Sequence, residues 1–412
     1  MIEITLQHAE SLISLFSQRE FQERAAHIAL HHLERIDNRI AASIDGLLIS
    51  GEEGMVTVTG LLEQADKGEM FAAALLAIES KNTNKIKSLL SLAKVNTATQ
   101  DGLIGALDWT QQPPLGLLDW LGTQSDCFFQ STAIRGYAQH RIDPGTLLLN
   151  CIQKPDEKVQ TVSLITAGKL GKQELMPLCE NLTGHEDPAI RFAASYSATL
   201  LGSQNGLKPL GEFAIQPGPH QHKALNLLLK AVPLSTAHKF IQSLSKNPDN
   251  QRAVIKAVGI TGDPFYIPWL IERMSDPVFK RLAGESFSFI TGVDLAYQDL
   301  EQNPPEGFES GPNDDPDDSD VELDEDDDLP WPDVEKITHW WWQHSKQFES
   351  DTRYFMGRPV TSGHCFEVLK NGFQRQRIAA ALYLCLLKPG SVLFPTSAPA
   401  WRQKEWLKNW PY

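Results

Sequence analysis

Motifs that usually identify an enzyme are missing from this chain of 412 residues. It has no GxGxxG or Walker phosphate-binding loop and no nucleophile elbow, so neither a nucleotide site nor a serine-hydrolase site is indicated. The five cysteines are widely spaced and form no CxxC pair, which argues against a disulfide framework and a zinc ribbon. We therefore predict no catalytic residue, no cofactor and no metal.

Long apolar runs and an excess of basic charge are also missing. No stretch of about 18 apolar residues occurs, so no membrane-spanning helix is predicted. Asp and Glu outnumber Lys and Arg by 52 to 37, which gives a formal net charge of -15. Binding to nucleic-acid phosphates needs a basic face. Because the N-terminus also lacks the features of a signal peptide, we expect a cytoplasmic protein that binds a protein partner, with no nucleic acid and no membrane insertion.

The negative charge is concentrated in one acidic segment. Between Glu306 and Asp328 there are 13 acidic residues and no Lys or Arg, so the rest of the chain is nearly neutral. Self-repulsion and few large apolar side chains predict a disordered linker over residues 304–329. Two alternatives are that the segment attracts a basic partner or that its carboxylates bind calcium. An EF-hand loop does not fit, because Asp320 takes the place of the required Gly.

A repeated pattern fills the middle of the chain. Segments beginning at Asp126, Asp156 and Asp187 start 30 and 31 residues apart, and each opens with an Asp that suits a helix N-cap. Apolar residues at helical spacing follow, then a glycine, then a second short amphipathic helix. Glycines that end the first helices are Gly171, Gly202 and Gly262. Short helix pairs bury their apolar faces only by stacking, so the pattern predicts an α-solenoid over residues 65–303.

The predicted fold is all-α, a solenoid of short HEAT-like helix pairs with different ends. Residues 1–64 are predicted to form an N-terminal helical cap, because a solenoid must shield the apolar surface of its terminal repeat. Composition changes after the acidic segment, since seven of the ten tryptophans lie beyond residue 330. Residues 330–412 are therefore predicted to form a Trp-rich C-terminal helical unit.

Three consecutive tryptophans follow Pro332 and Asp333, which mark the start of a helix. Three neighbouring side chains cannot all point into one core, so at least one should face another domain or a partner. Trp and Arg dominate binding hot spots, although docking of this C-terminal unit onto the solenoid explains the same composition. The predicted partner-binding residues are Trp340, Trp341, Trp342, Arg353, Arg358, Arg375 and Arg377.

Several segments together resemble an uncharacterised family of proteobacterial HEAT-like repeat proteins. They include ERIDNRIAASIDGL, GEMFAAALLAIES, the run from AVIKAVGITGDPF to FITGVDL, LPWPD, TRYFMGRPV and FQRQRIAAALYLCLLKPG. The resemblance extends from about residue 6 to residue 403. Members of that family have no assigned activity and are often encoded beside type VI secretion genes, near spike, PAAR-type and adaptor proteins.

The expected function is a non-catalytic protein-binding scaffold, an adaptor or chaperone-like accessory of a type VI effector or spike protein. The alternative is an immunity protein that neutralises a toxin, and the acidic segment suits a basic toxin. An enzyme similar to the phycobilin lyases, which also use short HEAT-like repeats, ranks below both, because a shared fold does not imply a shared function.

Overall fold

A computed structural model describes residues 2–306, 308 and 324–410. This part of the chain is mostly helical, as predicted for an all-α protein, and has 22 α-helices and one two-stranded hairpin. The described residues form two compact units. The first unit contains those up to Gly206 and those from Lys388 onward, and the second contains those of Leu207–Leu387. The predicted C-terminal unit is thus divided, because residues 388–410 pack with the first unit.

The helices of the first unit precede residue 206 except for the last one, α22. In chain order they are α1 (Ile2–Gln22), α2 (Leu30–Ile49), α3 (Glu52–Gly60), α4 (Lys67–Glu79), α5 (Thr83–Leu92), α6 (Thr97–Trp109), α7 (Leu115–Thr123), α8 (Cys127–Gln139), α9 (Thr146–Ile152), α10 (Glu157–Lys169), α11 (Met176–Asn181) and α12 (Pro188–Leu200). The second unit contains α13 (Leu207–Ile215), α14 (Gln221–Ala231), α15 (Leu234–Leu244), α16 (Gln251–Thr261), α17 (Ile267–Arg273), α18 (Lys280–Thr291), α19 (Val334–His344), the strands β1 (Tyr354–Phe355) and β2 (Arg358–Pro359), α20 (Ser362–Asn371) and α21 (Gln374–Leu387). Helix α22 is Ala400–Asn409.

Helix starts and ends lie largely where the repeat pattern predicts them. The carboxylates of Asp126, Asp156 and Asp187 accept backbone N–H groups in the first turns of α8, α10 and α12, which confirms them as N-caps. Gly171 and Gly262 follow α10 and α16 with φ angles of +66° and +73°, a conformation that glycine adopts readily.

Alternate helices pack against one another within each unit. In the first unit α4 packs on α6, α6 on α8, α8 on α10, and α10 on α12. In the second unit α14 packs on α16, and α16 on α18. Large apolar side chains between them are fully buried, for example Phe71 in the first unit and Phe287 in the second. Full burial of one such side chain stabilises a fold by about 1.5–3 kcal/mol, so these contacts are the main source of stability.

One small-residue contact occurs with the same geometry in both units. Gly168 of α10 faces Ser197 of α12, and a Cβ added to this glycine would lie 2.8 Å from the serine Cα. Gly259 of α16 faces Ser286 of α18, where the corresponding distance is 2.9 Å. Each serine hydroxyl donates a hydrogen bond to a carbonyl one turn before the facing glycine, at 2.7 and 3.0 Å. Small side chains therefore let neighbouring helices approach closely at both places.

Residues 389–402, which we name the first strap, cover the C-terminal ends of helices in the first unit. The Leu393 N–H donates to the carbonyl of Lys169, the last residue of α10, at 2.8 Å. A Cβ added to Gly171 would lie only 2.2 Å from the Gly390 carbonyl oxygen. The last carbonyls of a helix have no partner within that helix. The first strap satisfies such groups and needs glycine beneath it.

Buried charges hold the same strap against α1, α2 and α6. The Arg19 guanidinium forms an ion pair with Asp37 at 2.5 Å and donates to the carbonyl of Ala398 at 3.0 Å. The other carboxylate oxygen of Asp37 accepts the Ala400 N–H at 2.6 Å. Arg402 in turn pairs with Asp108 at 2.8 Å, near the end of α6. Breaking a buried pair costs about 3–5 kcal/mol, so these contacts are strong constraints on the strap.

Residues 353–357, the second strap, cover helix ends in the second unit in a similar way. The Tyr354 N–H donates to the Gly262 carbonyl at 2.7 Å, and a Cβ on Gly262 would lie 2.2 Å from the Tyr354 oxygen. The N–H groups of Met356 and Gly357 donate to carbonyls near the end of α18 at 2.7 and 3.1 Å. Both units therefore use a later segment of the chain to cap the ends of earlier helices.

The end of the predicted acidic linker is part of the folded second unit. Residues 309–323 lie outside the described residues, as does most of the segment considered for calcium binding. Residue Asp326, by contrast, is only 2% exposed, and its carboxylate accepts two hydrogen bonds from Arg252 at 2.6 and 2.9 Å. Residues 324–328 thus differ from the predicted disordered linker, because basic side chains of the folded unit pair with the carboxylates of residues 324–326.

Replacing Gly171 by alanine tests the contact of the first strap with the glycine turn. We expect Gly171→Ala to lower the free energy of unfolding by about 2 kcal/mol, since alanine is strained at positive φ and its Cβ meets the strap. Urea unfolding followed by circular dichroism measures this change. The matched control is Gly145→Ala in the same unit, where φ is +61° and an added Cβ meets nothing within 4 Å. Equal stability of the two variants would contradict the role of the strap.

Candidate binding groove

The three consecutive tryptophans lie on α19, as predicted. Asp333 caps this helix by accepting the N–H groups of two first-turn residues, both at 3.1 Å. Trp340 stacks on His344, with ring centroids 4.3 Å apart, and meets Phe287 of the core edge to face. Trp342 is 77% exposed. The three side chains therefore have separate roles, and the middle one, Trp341, lines a cavity.

The cavity beside Trp341 is a groove of about 260 Å³ within the second unit. Three aromatic side chains line it, namely Phe265, Trp341 and Phe348. Three carboxylates line it as well, namely Asp263, Glu349 and Asp351, and His238 lies among them. Among the described residues, no Lys or Arg belongs to the lining. We call this site the acidic groove, defined by these seven side chains.

One wall of the acidic groove is the turn between α16 and α17. Asp263 follows Gly262, is buried, and accepts the Phe265 N–H on one carboxylate oxygen at 2.9 Å. Its second oxygen accepts a hydrogen bond from Nε2 of His238 on α15 at 2.7 Å. Phe265 stacks on the His238 ring, with centroids 5.7 Å apart. This wall thus has a fixed carboxylate behind an exposed aromatic face.

Tyr266 packs against His238 in this wall. The ring of Tyr266 meets the His238 ring edge to face, with centroids 5.2 Å apart. Burial, together with the negative charge of Asp263, raises the pKa of Tyr266 to about 12. The phenol therefore stays neutral at physiological pH, and it adds no charge to the groove.

The other wall is formed by the residues after α19. Phe348 packs against Trp341, with ring centroids 5.3 Å apart, and against Tyr354 at 5.0 Å. The Glu349 N–H donates to the Tyr354 hydroxyl at 2.9 Å. Because the Tyr354 backbone is bonded to Gly262, the residue before Asp263, the second strap holds both walls together. The groove is therefore anchored to the repeat by the same contact that caps α16.

The acidic groove has the chemistry of a site for a positively charged side chain. Its carboxylates outnumber its single titratable base, and its aromatic faces carry negative electrostatic potential. A cation over an aromatic face gains about 0.5–1 kcal/mol when exposed and about 2 kcal/mol when desolvated. Arginine fits this combination best, because its planar guanidinium stacks on rings and binds carboxylates in a bidentate way.

The predicted arginines do not form one surface with the tryptophans. Arg353 donates to the carbonyls of Leu229 and Val232 at 2.5 and 2.7 Å, so it caps the end of α14. Arg375 pairs with Glu285 at 2.9 Å, whereas Arg358 is exposed on β2.

The prediction of Arg377 as a partner-binding residue is corrected by its burial. Its side chain is fully buried, and its Nε donates to the carbonyl of Leu369 at 2.8 Å. Burial lowers the pKa of this arginine to about 10, which leaves it charged at physiological pH. A partner therefore cannot reach it, and the guanidinium instead joins α20 to α21.

Sequence reasoning identified Trp341 but missed the other side chains of the groove. Gly262-Asp263-Pro264 is visible in the sequence as a helix-breaking turn, and this signal marks where one wall lies. His238 lies 25 residues before Asp263, and nothing in the sequence pairs the two. Glu349 and Asp351 lie a few residues after α19 in the sequence. This short separation from Trp341 is the signal that could have placed them in the same site.

Metal-ion, disulfide and membrane-spanning features are not seen in the part of the chain that the structure describes. No group of three or more His, Cys, Asp or Glu side chains there suits a metal ion. All five cysteines are free thiols. No helix within the described ranges combines the length and the apolar character needed to cross a membrane.

Arg353 and Arg358 lie at the same hairpin but differ in burial and in contacts. Substituting each by alanine tests whether only Arg353 stabilises the fold. We expect Arg353→Ala to lower the free energy of unfolding by about 2–3 kcal/mol, because two buried carbonyls lose a charged donor. Arg358→Ala should change it by less than about 0.5 kcal/mol. Urea unfolding of both full-length variants measures the difference. A destabilised Arg358→Ala variant, or an unaffected Arg353→Ala variant, would contradict this assignment.

Comparison with known proteins adds no assignment to this geometry. No protein-family model matches the chain, and no curated protein matches it either. The functional interpretation therefore rests on the residues of the acidic groove and on the packing of the helices.

Proposed function

We propose that the chain is a non-catalytic protein-binding scaffold whose helix pairs stack as a short α-solenoid within each unit. Three observations support the stacking: the spacing of about 30 residues, the packing of alternate helices, and the glycine–serine contacts shared by the two units. Stacked helix pairs present extended surfaces and long edges, which such proteins use to bind other proteins. The proposal assigns the binding of a partner to the acidic groove.

The observation that carries the proposal is the combination of carboxylates and an exposed aromatic ring in the groove. Phe265 is 72% exposed although it is a large aromatic residue, and it stands beside the buried carboxylate of Asp263. An exposed aromatic face next to fixed negative charge favours insertion of an Arg or Lys side chain from a partner. Aromatic anchors of this kind dominate the binding energy of protein interfaces.

The cellular role follows from the resemblance to a repeat family encoded beside type VI secretion genes. We propose an adaptor or chaperone-like accessory that binds an effector or spike protein through a basic segment. The alternative role is an immunity protein, which the acidic groove also suits because it would attract a basic toxin. Both roles use the same surface chemistry, so they differ in the partner and in the phenotype of a deletion.

An enzymatic role is disfavoured by the surroundings of His238. A His–Asp pair is part of many nucleophilic sites, where the imidazole also contacts a hydroxyl or a thiol. Within the described residues, His238 forms no hydrogen bond to a hydroxyl or a thiol. We therefore assign the pair a positioning role, in which Asp263 orients the ring that supports Phe265.

Binding of a minimal basic peptide tests the groove directly. Blocked Gly-Arg-Gly peptide, titrated into full-length protein and followed by calorimetry, should bind, whereas blocked Gly-Glu-Gly should not. Trp341→Ala should weaken binding about tenfold, which corresponds to about 1.4 kcal/mol, within the range of a desolvated cation–π contact.

The matched control for this titration is Trp342→Ala, because Trp342 is adjacent in sequence, 77% exposed and outside the groove lining. Its affinity for Gly-Arg-Gly should equal that of the wild type. Equal losses in the two tryptophan variants, or equal binding of the acidic peptide, would contradict the groove as a cation site.

Photo-crosslinking in the bacterium that encodes the chain identifies the partner. A photoreactive amino acid in place of Phe265 should capture a spike, PAAR-type or effector protein, or a toxin if the role is immunity. The same amino acid in place of Tyr297, which is 89% exposed in the same unit, is the control. Capture of the same proteins from both positions would argue against the groove. A deletion strain that becomes sensitive to attack by its siblings favours immunity, and one that loses effector delivery favours the adaptor.

A further inference from the structure

A second charged surface of the second unit has the opposite sign. Four basic side chains converge on it: Arg252 and Lys256 from α16, Arg281 from α18 and Arg375 from α21. Arg252 and Lys256 are one turn apart, so they share a helix face. We call this set the basic surface. The chain as a whole has a net charge of -15, so this cluster of four basic side chains contrasts with the overall charge.

The basic surface is occupied by residues 324–326 of the chain itself. Asp326 receives a bidentate guanidinium from Arg252, at 2.6 and 2.9 Å. Glu325 accepts a hydrogen bond from Lys256 at 2.8 Å, and Asp324 forms an ion pair with Arg281. Three consecutive carboxylates thus each meet a basic side chain.

Backbone groups of the same residues are also bound. Arg281 donates to the Asp326 carbonyl at 2.9 Å, and Arg375 donates to the Glu325 carbonyl at 3.0 Å. Residues 325–328 form a turn, and the basic surface therefore binds the main chain of this turn as well as its carboxylates. This pattern of side-chain and main-chain contacts is what a protein uses to recognise a short acidic peptide.

The four positive charges of the basic surface exceed the negative charge that the neighbouring helices provide. Apart from residues 324–326, the acidic side chain that pairs with one of these cations in the described helices is Glu285 of α18, which lies 2.9 Å from Arg375. Removal of residues 324–326 would take away the carboxylates that Arg252, Lys256 and Arg281 pair with among the described residues, and the mutual repulsion of the cations would be unfavourable. The surface therefore requires an anionic occupant, and the chain supplies one.

We propose that the basic surface is a binding site for an acidic segment of a partner protein, and that residues 324–326 are the built-in ligand that such a segment displaces. The inference does not rest on the acidic groove. An acidic peptide fits better than a nucleic acid, because bidentate pairing with Arg252 matches a carboxylate and the net negative charge of the chain opposes a long polyanion.

Exchange of one acidic segment for another begins most readily at Glu325, because Asp326 is only 2% exposed and its pair with Arg252 has to be replaced by an equivalent carboxylate. The Glu325 side chain is 66% exposed, and exposed ion pairs are individually weak and screened by salt. A hydrogen bond from Lys256 lowers the pKa of Glu325 to about 2, so the built-in ligand keeps its charge at neutral pH. A competing segment would reproduce the same contacts. The barrier to its binding is the high effective concentration of a ligand tethered to the same chain.

Neutralising the built-in ligand in the full-length protein tests the proposal. The variant is Asp324→Asn with Glu325→Gln and Asp326→Asn, and the probe is a fluorescent peptide with the sequence Asp-Glu-Asp-Asp-Asp-Leu-Pro of residues 324–330. Fluorescence anisotropy should show binding at least about tenfold tighter than to the wild type, because the tethered competitor is weakened. This binding should fall as salt rises. Adding Arg252→Ala and Lys256→Ala should abolish it.

The matched control changes net charge equally at exposed acidic residues elsewhere in the second unit. It combines Glu272→Gln, Asp299→Asn and Glu367→Gln, whose side chains are 66%, 92% and 59% exposed. The control should bind the peptide as weakly as the wild type. A folded neutralised variant that binds no better than this control would overturn the proposal. Equal binding of a single-stranded DNA oligonucleotide of matched charge would overturn the assignment to a protein partner.

A milder variant keeps the test decisive if the triple variant does not fold. Glu325→Gln removes only the exposed carboxylate and leaves the buried Asp326 contact intact. We expect this folded single variant to bind the peptide a few-fold tighter than the wild type. Unchanged affinity in the single variant would count against displacement.

Discussion

The architecture depends on backbone segments that close the ends of short helices. Each helix leaves its last carbonyl groups without partners, and an array of short helices multiplies these open ends along one edge. In the first unit the carbonyl of Lys169 is bonded by residue 393, and in the second unit the carbonyl of Gly262 is bonded by Tyr354. In both units a glycine with positive φ lies directly beneath the strap, where a Cβ would come within 2.2 Å of a carbonyl oxygen. Glycine is thus needed at these positions for two reasons: it adopts the positive φ of the turn, and its missing side chain lets the strap backbone pack against it.

The same contact positions the acidic groove. Asp263 is the residue after the glycine that the second strap covers, and Tyr354 supports the opposite wall through its hydroxyl and its ring. The groove consequently lies where a helix-pair turn, a strap and the tryptophan helix meet. A binding site at such a junction is built on rigid elements, which preserves its geometry without further support.

Within the second unit, acidic and basic side chains are concentrated on two different surfaces, although the chain as a whole is acidic. The groove collects carboxylates beside aromatic rings, whereas the basic surface collects guanidinium and ammonium groups that the chain's own residues 324–326 neutralise. The arginines are divided by their surroundings in the same way. Arg353 and Arg377 are bound to main-chain carbonyls and stabilise the fold, and Arg358 is exposed. Composition alone does not separate these roles, because each depends on burial and on the nearest acceptor.

The sequence by itself determined the helical class, the aspartate caps at Asp126, Asp156 and Asp187, the glycine turns and the tryptophan helix. These features depend on side chains that act within a few residues, through capping, φ preference and helical periodicity. The tertiary structure decided the division into two units, the two straps, the docking of Asp326, the burial of Arg377 and the pairing of His238 with Asp263. Each of these joins groups that are distant in sequence or sets the solvent exposure of a charge. Such contacts arise only when packing brings the helices together, so a local pattern cannot encode them.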